Sequence, residues 1–200
     1  GPRMTEAVDI IRKCWAGETF SYDGKFWQYK DITQDPPPAH DIPILYGGRA
    51  PAGLRRAARD GAGILSQGPG MEAAQIYADE CRKQGIKAGE VRHLRYFVVS
   101  EDPEKSWNEL RPYAENMMKT YDKWFQNSKD RGVTDVTGDN LNADDLLSDD
   151  LYIVGTPEQA IERVNKLKDA YPDIHELWGL FHFPGLPHEK VAESMELFAN

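Results

Sequence analysis

Two adjacent glycines, Gly47 and Gly48, stand between a short apolar run (PILY) and a run with helical character that begins near Pro51. Without a Cβ atom, glycine lets backbone N–H groups approach a phosphate closely, and the start of a following helix favours negative charge. Arg49 adds a cation that can pair with the same anion. A tight turn without a ligand explains the same residues, so the spacing alone leaves both interpretations open.

Other residues that could do chemistry follow later apolar runs. Gln67 and Gly68 come directly after the second run, where they either border the same anion or form an ordinary turn. His182 ends the run ELWGLFHF, and imidazole can transfer a proton near neutral pH. A hydrogen-bonded structural histidine fits that position too. The aromatic residues Trp178 and Phe183 either line an apolar pocket or fill the core.

The sequence offers no metal-ligand pattern. His40, His93, His175 and His188 lack the spacing of metal ligands. The acidic stretch 139–150 lacks the ligand order and the closing glutamate of an EF-hand loop, which favours a solvated loop. We therefore expect no metal.

Composition narrows the possible partners and the compartment. The net charge is −9 over 200 residues, and the longest basic runs are pairs, so we expect no nucleic-acid partner. Cys14 and Cys81 have no CxxC spacing and are interpreted as buried, reduced thiols. No secretion leader and no apolar run of about 18 residues is present in the sequence. These features predict a cytoplasmic protein without a membrane partner.

Apolar spacing predicts alternating strands and helices in a single domain over residues 1–200. A helix and an aromatic hairpin around Asp23-Gly24 come first. Four core strands are predicted at 44–46, 63–66, 94–100 and 176–183, and their apolar residues do not alternate with polar ones. The helices that follow the hairpin are predicted at 51–60, 71–84, 103 onward with Pro112 inside, 156–170 and 189–198. Residues 126–150 are interpreted as a surface excursion with one short helix at 143–148. This order is typical of an α/β fold with a parallel sheet.

Several segments, in order, resemble the family of bacterial-luciferase-like flavin monooxygenases. They are EAVDIIRKCWAGETFSYDGKFW, PILYGGRAPAGLRRAARDGAG, VVSEDPEKSW, IVGTPEQAIERV and PGLPHEKVAESMELFA. The resemblance implies an eight-stranded (β/α)8 TIM barrel with the flavin across the carboxyl ends of the strands. Because only four core strands are predicted, the chain resembles the C-terminal half of that barrel. Either a homo-oligomer or a missing N-terminal half would then complete it.

The resemblance also implies a function. It points to a flavin-dependent oxidoreductase, a monooxygenase that uses reduced FMN and O₂ on a small apolar organic substrate, with a flavin reductase or NAD(P)H as the source of electrons. A deazaflavin-dependent reductase of the same family and a non-catalytic flavin-binding protein are the alternatives. In this interpretation the cofactor phosphate lies at Gly47, Gly48 and Arg49, with Gln67 and Gly68 on the same rim, and His182 is the candidate catalytic group.

Overall fold

The computed structural model describes residues 1–48, 50–67, 71–126, 147 and 151–199. The chain divides into two compact units. The first unit contains Gly1–Leu65 and Ala73–Val91, and the second contains Ser66–Glu72 and Arg92–Asn200.

Helices and strands alternate along the chain after an initial helix and hairpin. The elements are α1 (Pro2–Trp15), β1 (Phe20–Asp23), β2 (Gln28–Ile32), β3 (Leu45–Gly47), α2 (Pro51–Arg59), β4 (Gly63–Gln67), α3 (Glu72–Gln84), β5 (Val91–Val99), α4 (Pro103–Gln126), β6 (Tyr152–Gly155), α5 (Pro157–Ala170), β7 (Glu176–Leu180) and α6 (His188–Ala199).

The first unit begins with α1 and the hairpin that the sequence predicts. Strands β1 and β2 pair antiparallel, and Gly24 N–H donates to the carbonyl of Trp27 at 2.9 Å across the turn. Glu6 of α1 fixes this turn, because its carboxylate accepts from the N–H groups of Lys25 and Phe26, each at 3.0 Å. The hairpin prediction is confirmed, and a single acidic side chain joins the hairpin to the helix.

Strands β3 and β4 of the first unit form a parallel pair. Their register places Leu45 opposite Gly63 and Gly47 opposite Leu65. Tyr46 and Ile64 are buried, which explains why polar residues do not alternate with apolar ones in these runs. The pair therefore brings Gly47, at the end of β3, next to Leu65 of β4.

The carboxylate of Asp60, which follows α2, accepts three hydrogen bonds within the first unit. It accepts from Tyr46 Oη at 2.8 Å, from Arg59 Nε at 2.8 Å and from Thr5 Oγ1 at 3.3 Å. Burial by itself raises the pKa of a carboxyl group, but these bonds and the charge of Arg59 outweigh burial, and the pKa of Asp60 is lowered. Burial and the bond to Asp60 raise the pKa of Tyr46 to about 12. The carboxylate thus links α1, β3 and the end of α2.

We expect Asp60→Asn to lower the free energy of unfolding by about 1–2 kcal/mol at pH 7. One carboxylate oxygen is replaced by an NH₂ group, which donates hydrogen bonds and cannot accept them from the groups that now donate to Asp60. The Arg59 side chain is 57% exposed, so its ion pair with Asp60 contributes little to this loss of stability. A carboxyl group with a depressed native pKa stabilises the fold above its unfolded pKa of about 4, and this contribution disappears as the pH falls through the native pKa. Urea unfolding of the parent and of Asp60→Asn, from neutral to acidic pH, measures how the stability difference between them changes with pH.

The control for this substitution is Asp41→Asn, in an exposed loop, which should unfold like the parent at every pH. A stability difference between Asp60→Asn and the parent that stays constant down to about pH 2 would contradict the assignment.

The second unit is built on β5. This strand pairs in parallel with β6, from Tyr96↔Tyr152 to Val99↔Gly155, and with β7, from Arg92↔Glu176 to Tyr96↔Leu180. Adjacent residues of β5 point to opposite faces. Tyr96 and Val98 pack into a cluster with residues of α4, whereas Phe97 and Val99 pack with residues of α5 and α6. Helices therefore cover both faces of β5, which accounts for its nearly continuous burial.

The predicted α/β fold with a parallel sheet and flanking helices is confirmed. The strand order is β3-β4-β5-β6 with β7 paired to β5, and over the described residues the sheet does not close into a barrel. The sheet has five strands, where the sequence predicts about four. Strand β6 was missed because its four residues stand between a polar stretch and a strong helix start. That helix start is confirmed: Thr156 Oγ1 accepts from Gln159 N–H, and the Gln159 side chain accepts from Thr156 N–H.

Helix α4 continues as one helix from Pro103 to Gln126, with Pro112 inside it as the sequence predicts. The helix predicted at 143–148, and nearly all of the predicted excursion at 126–150, lie outside the described residues. Among the helices that are described, none has the length and apolar character needed to cross a membrane.

Candidate functional site

The start of α2 has the features of an anion site. Its N-cap residue is Ala50, whose methyl group cannot accept a hydrogen bond, and no acidic residue lies in the first turn. Gly53 and Leu54 N–H groups donate to the Ala50 carbonyl at 2.8 and 3.1 Å. The N–H of Ala52 has no carbonyl of its own helix to reach, and Pro51 has no N–H. The positive end of the helix dipole is therefore neither capped nor neutralised by a side chain.

The glycine pair lies just before this helix, at the end of β3. A Cβ atom built on Gly47 or on Gly48 would meet no heavy atom of the described residues within 4 Å, so the space beside both backbones is open with respect to that part of the chain. Gly48 has φ +121°, a conformation that side-chain-bearing residues rarely adopt. Its N–H donates to the Leu65 carbonyl at 3.1 Å and thus serves the pairing of β3 with β4. Gly48 can therefore contribute its backbone turn and its lack of a side chain to an anion site. Its N–H is already used by the Leu65 carbonyl.

The remaining predicted site residues are distributed over the chain. Arg49 and Gly68 lie outside the described residues. Gln67 is exposed, ends β4 and belongs to the second unit, where its Nε2 donates to Tyr96 Oη at 3.4 Å. His182 is exposed and comes two residues after β7, while the next residue, Phe183, is fully buried. The structure thus places Gly47 and Gly48 together in the first unit, and Gln67 and His182 in the second.

Trp178, the other aromatic residue considered for a pocket, is 39% exposed. Its indole Nε1 donates to Glu176 Oε2 at 2.7 Å, and the Arg92 guanidinium lies 5.0 Å from its ring centroid. Arg92 also forms an ion pair with Glu176 at 2.9 Å. Trp178 therefore packs in a polar cluster where β5 and β7 begin.

Two buried polar groups in the second unit have no signal in the sequence. Ser66 Oγ and His93 Nδ1 lie 2.6 Å apart, with the two residues 1% and 0% exposed. Tyr96 and Tyr152 form a second group, with ring centroids 5.1 Å apart. Both pairs join residues of different strands, so only knowledge of strand pairing could have found them. Within the described part of the chain, no three His, Cys, Asp or Glu side chains gather where they could share a metal ion.

Comparison with known proteins assigns the family. The sequence model of a family described as luciferase-like monooxygenase matches residues 1–173. The chain belongs to the luciferase-like monooxygenase family. The resemblance proposed from the sequence is therefore confirmed.

Individual members of the luciferase-like family differ in their cofactor. The F420-dependent glucose-6-phosphate dehydrogenase of Microbacterium testaceum is 26% identical over 94% of this chain and 56% of its own length. The monooxygenase RslO1 of Streptomyces bottropensis superposes with a TM-score of 0.75 at 20% identity, over 97% of this chain and 58% of that protein. The oxygenating constituent of 3,6-diketocamphane monooxygenase from Pseudomonas putida, in complex with FMN, gives 0.60 at 17% identity, over 87% and 54%.

The chain thus spans little more than half the length of these luciferase-like proteins. The two structural likenesses support the fold that the resemblance implies, in which this chain corresponds to part of a TIM barrel. The names of the matched proteins include both F420 and FMN, so the cofactor of this chain is a separate question.

Proposed function

We propose that the protein is a flavin-type oxidoreductase that holds the phosphate of its cofactor where α2 begins. The observation that carries this proposal is the combination of an uncapped helix start with two glycines that leave open space beside the backbone. An anion at this place meets the N–H of Ala52 and the positive end of the helix dipole. FMN and the deazaflavin F420 both carry phosphate on their side chain, so both have the required group.

The residues of this chain bind and orient, and the bound cofactor supplies the redox chemistry. Gly47 gives the phosphate room beside the backbone, and Gly48 supplies the turn that ends β3 before α2. Arg49 is the candidate cation for the phosphate. His182 stays the candidate proton-transfer group, since its exposed position after β7 leaves its ring accessible.

The first candidate reaction is monooxygenation of a small apolar organic molecule with O₂ and reduced FMN, supplied by a flavin reductase or NAD(P)H. The second candidate is hydride transfer with deazaflavin F420, which the F420-dependent relative at 26% identity favours. Flavin binding without turnover is the third possible outcome. Completion of the barrel, by a second copy or by a further segment, stays a prediction that the mass of the purified protein in solution tests.

A titration with FMN, F420 and riboflavin tests the proposed function. We expect FMN or F420 to bind at least about a hundredfold more tightly than riboflavin, because riboflavin lacks the phosphate and two charge-assisted hydrogen bonds contribute about 3 kcal/mol. Quenching of cofactor fluorescence measures the three affinities. O₂ consumption with reduced FMN and a reductase then separates the monooxygenase from a protein that only binds. If neither phosphorylated cofactor binds more tightly than riboflavin, the proposal is wrong.

A further inference from the structure

A small cavity lies between α4 and α6 in the second unit, at the end of β5. Its volume is about 30 Å³. One buried water needs roughly 10–15 Å³, so the cavity has room for two or three non-hydrogen atoms but not for an aromatic ring. Its lining includes three serines and three apolar side chains, namely Ser100, Ser106, Ser194, Leu110, Phe181 and Leu186.

The hydroxyl group of Ser100, directly after β5, has an unused hydrogen. Ser100 is 9% exposed, and its Oγ accepts from Ser106 Oγ at 2.7 Å and from Asp102 N–H at 3.1 Å. A serine oxygen has two lone pairs, and these two bonds occupy both of them. The hydrogen of Ser100 meets no acceptor among the residues that the structure describes, so it is available to an occupant of the cavity.

Ser194 of α6 offers a second hydrogen to the same cavity. Its Oγ accepts from Val99 N–H at 2.8 Å, and the residue is 8% exposed. Within the described part of the chain, the Ser194 hydroxyl donates to no acceptor. A buried donor without an acceptor destabilises a fold. The two serines therefore favour a bound molecule that accepts hydrogen bonds.

Charged side chains at the mouth of the cavity exclude an ionic occupant. Lys190 Nζ and Glu109 Oε2 form an ion pair at 3.1 Å, and their side chains, 48% and 44% exposed, mark where the cavity reaches solvent. Glu193 lines the cavity as well. Two carboxylates beside one ammonium group oppose an anion, and the two serine hydrogens oppose a cation. A neutral molecule with an oxygen acceptor meets both conditions.

We propose that this cavity binds an aliphatic alcohol of one or two carbons. The alcohol oxygen has two lone pairs for the hydrogens of Ser100 and Ser194. Its own hydrogen can be donated to Ser106 Oγ, which accepts no bond from the described residues, whereas an aldehyde of the same size has no hydrogen to donate. The three apolar side chains of the lining contact the carbon atoms. The site uses none of the residues assigned to the cofactor, so the inference goes beyond the proposed function and does not rest on it.

A titration of the full chain with methanol, ethanol and tert-butanol tests the alcohol site. The ¹⁵N-labelled amides of Val99 and Ser100, followed by NMR, should shift along saturable curves with methanol and ethanol. Because two or three non-hydrogen atoms contribute little binding free energy, we expect dissociation constants of about 1–10 mM. The bulkier tert-butanol does not fit the cavity and should cause only the linear drift that any change of solvent causes.

Two variants of the cavity lining locate the bound alcohol. Ser194→Ala should weaken ethanol binding about tenfold, because it removes one of the two donors. Since this change also leaves Val99 N–H without its acceptor, Ser106→Val is the second test, and its added methyl groups should fill the cavity and abolish binding. Thr120→Ala, also on α4, is the matched control: its hydroxyl donates to the Asn116 carbonyl outside the cavity, so ethanol should bind as in the parent.

The outcomes decide between an alcohol, water and a site elsewhere. Saturable binding of methanol and ethanol that Ser106→Val abolishes supports the inference. If no alcohol gives saturable shifts at Val99 and Ser100, the cavity holds water only and the inference is wrong. Equal affinity for tert-butanol, or ethanol affinity that is unchanged in both variants of the lining, would also overturn it. No flavin is needed in these titrations, so the cofactor proposal succeeds or fails separately.

Discussion

Gly63→Ala is expected to lower the free energy of unfolding by about 3 kcal/mol, the largest effect on stability that we anticipate from a single methyl group. A Cβ atom at Gly63 would collide with the carbonyl oxygen of Glu90 and lie 2.6 Å from Leu45 Cδ2 and 3.0 Å from Glu90 N. Two of these atoms are backbone and cannot rotate away. The same carbonyl accepts from Ile64 N–H at 2.9 Å, so moving it would also strain a hydrogen bond of the first unit.

Gly53→Ala is the matched control for this prediction. A Cβ atom at Gly53 meets no heavy atom within 4 Å among the residues that the structure describes, and Gly53 lies in the first turns of α2. The substitution should therefore stabilise the protein by about 0.5–1 kcal/mol, because alanine is a better helix residue than glycine. Urea unfolding monitored by circular dichroism measures both variants. Equal midpoints for Gly63→Ala and the parent would mean that β4 does not approach Glu90 as described.

Local sequence signals predicted most elements of this fold. The turn at Asp23-Gly24, Thr156 as a helix cap and the apolar run at residues 94–100 each depend on residues close together in the chain. Propensity, capping and burial on both faces act over such short distances. Strand β6 was not predicted because its apolar residues directly follow the polar stretch 126–150 and run into the helix start at Thr156, and only pairing with Tyr96–Val99 identifies it as a strand.

The candidate site was predictable only where it depends on local backbone geometry. Gly47 and Gly48 could be found because a glycine pair before a helix has a physical meaning in the sequence itself. The hydrogen bond from Gly48 N–H to the Leu65 carbonyl could not be predicted from the sequence, since it depends on the register of β3 with β4. Tyr96 and Tyr152 are 56 positions apart and meet only through the pairing of β5 with β6. In the sequence Tyr96 resembles an ordinary strand residue, and Tyr152 lies in a segment that was not predicted to be a strand.

Gly47→Val should weaken binding of the phosphorylated cofactor at least about a hundredfold, by placing a branched side chain in the open space where the phosphate is proposed to lie. A substitution at Gly47 separates an effect on cofactor binding from an effect on folding better than a substitution at Gly48 does. Valine is a favourable strand residue, and the backbone of Gly47 is not in the left-handed region, whereas Gly48 has φ +121° and Gly48→Val would lose affinity through backbone strain as well.

Three comparisons make the Gly47→Val result specific for the phosphate. Riboflavin lacks that group, so its affinity should change far less than that of FMN, and the preference for FMN over riboflavin should largely disappear. Ala88→Val, in an exposed loop of the first unit, should bind every cofactor like the parent. Thermal unfolding of Gly47→Val should stay close to that of the parent. If this variant folds normally and keeps its preference for FMN, the phosphate lies elsewhere, because no anion could share that space with a valine side chain.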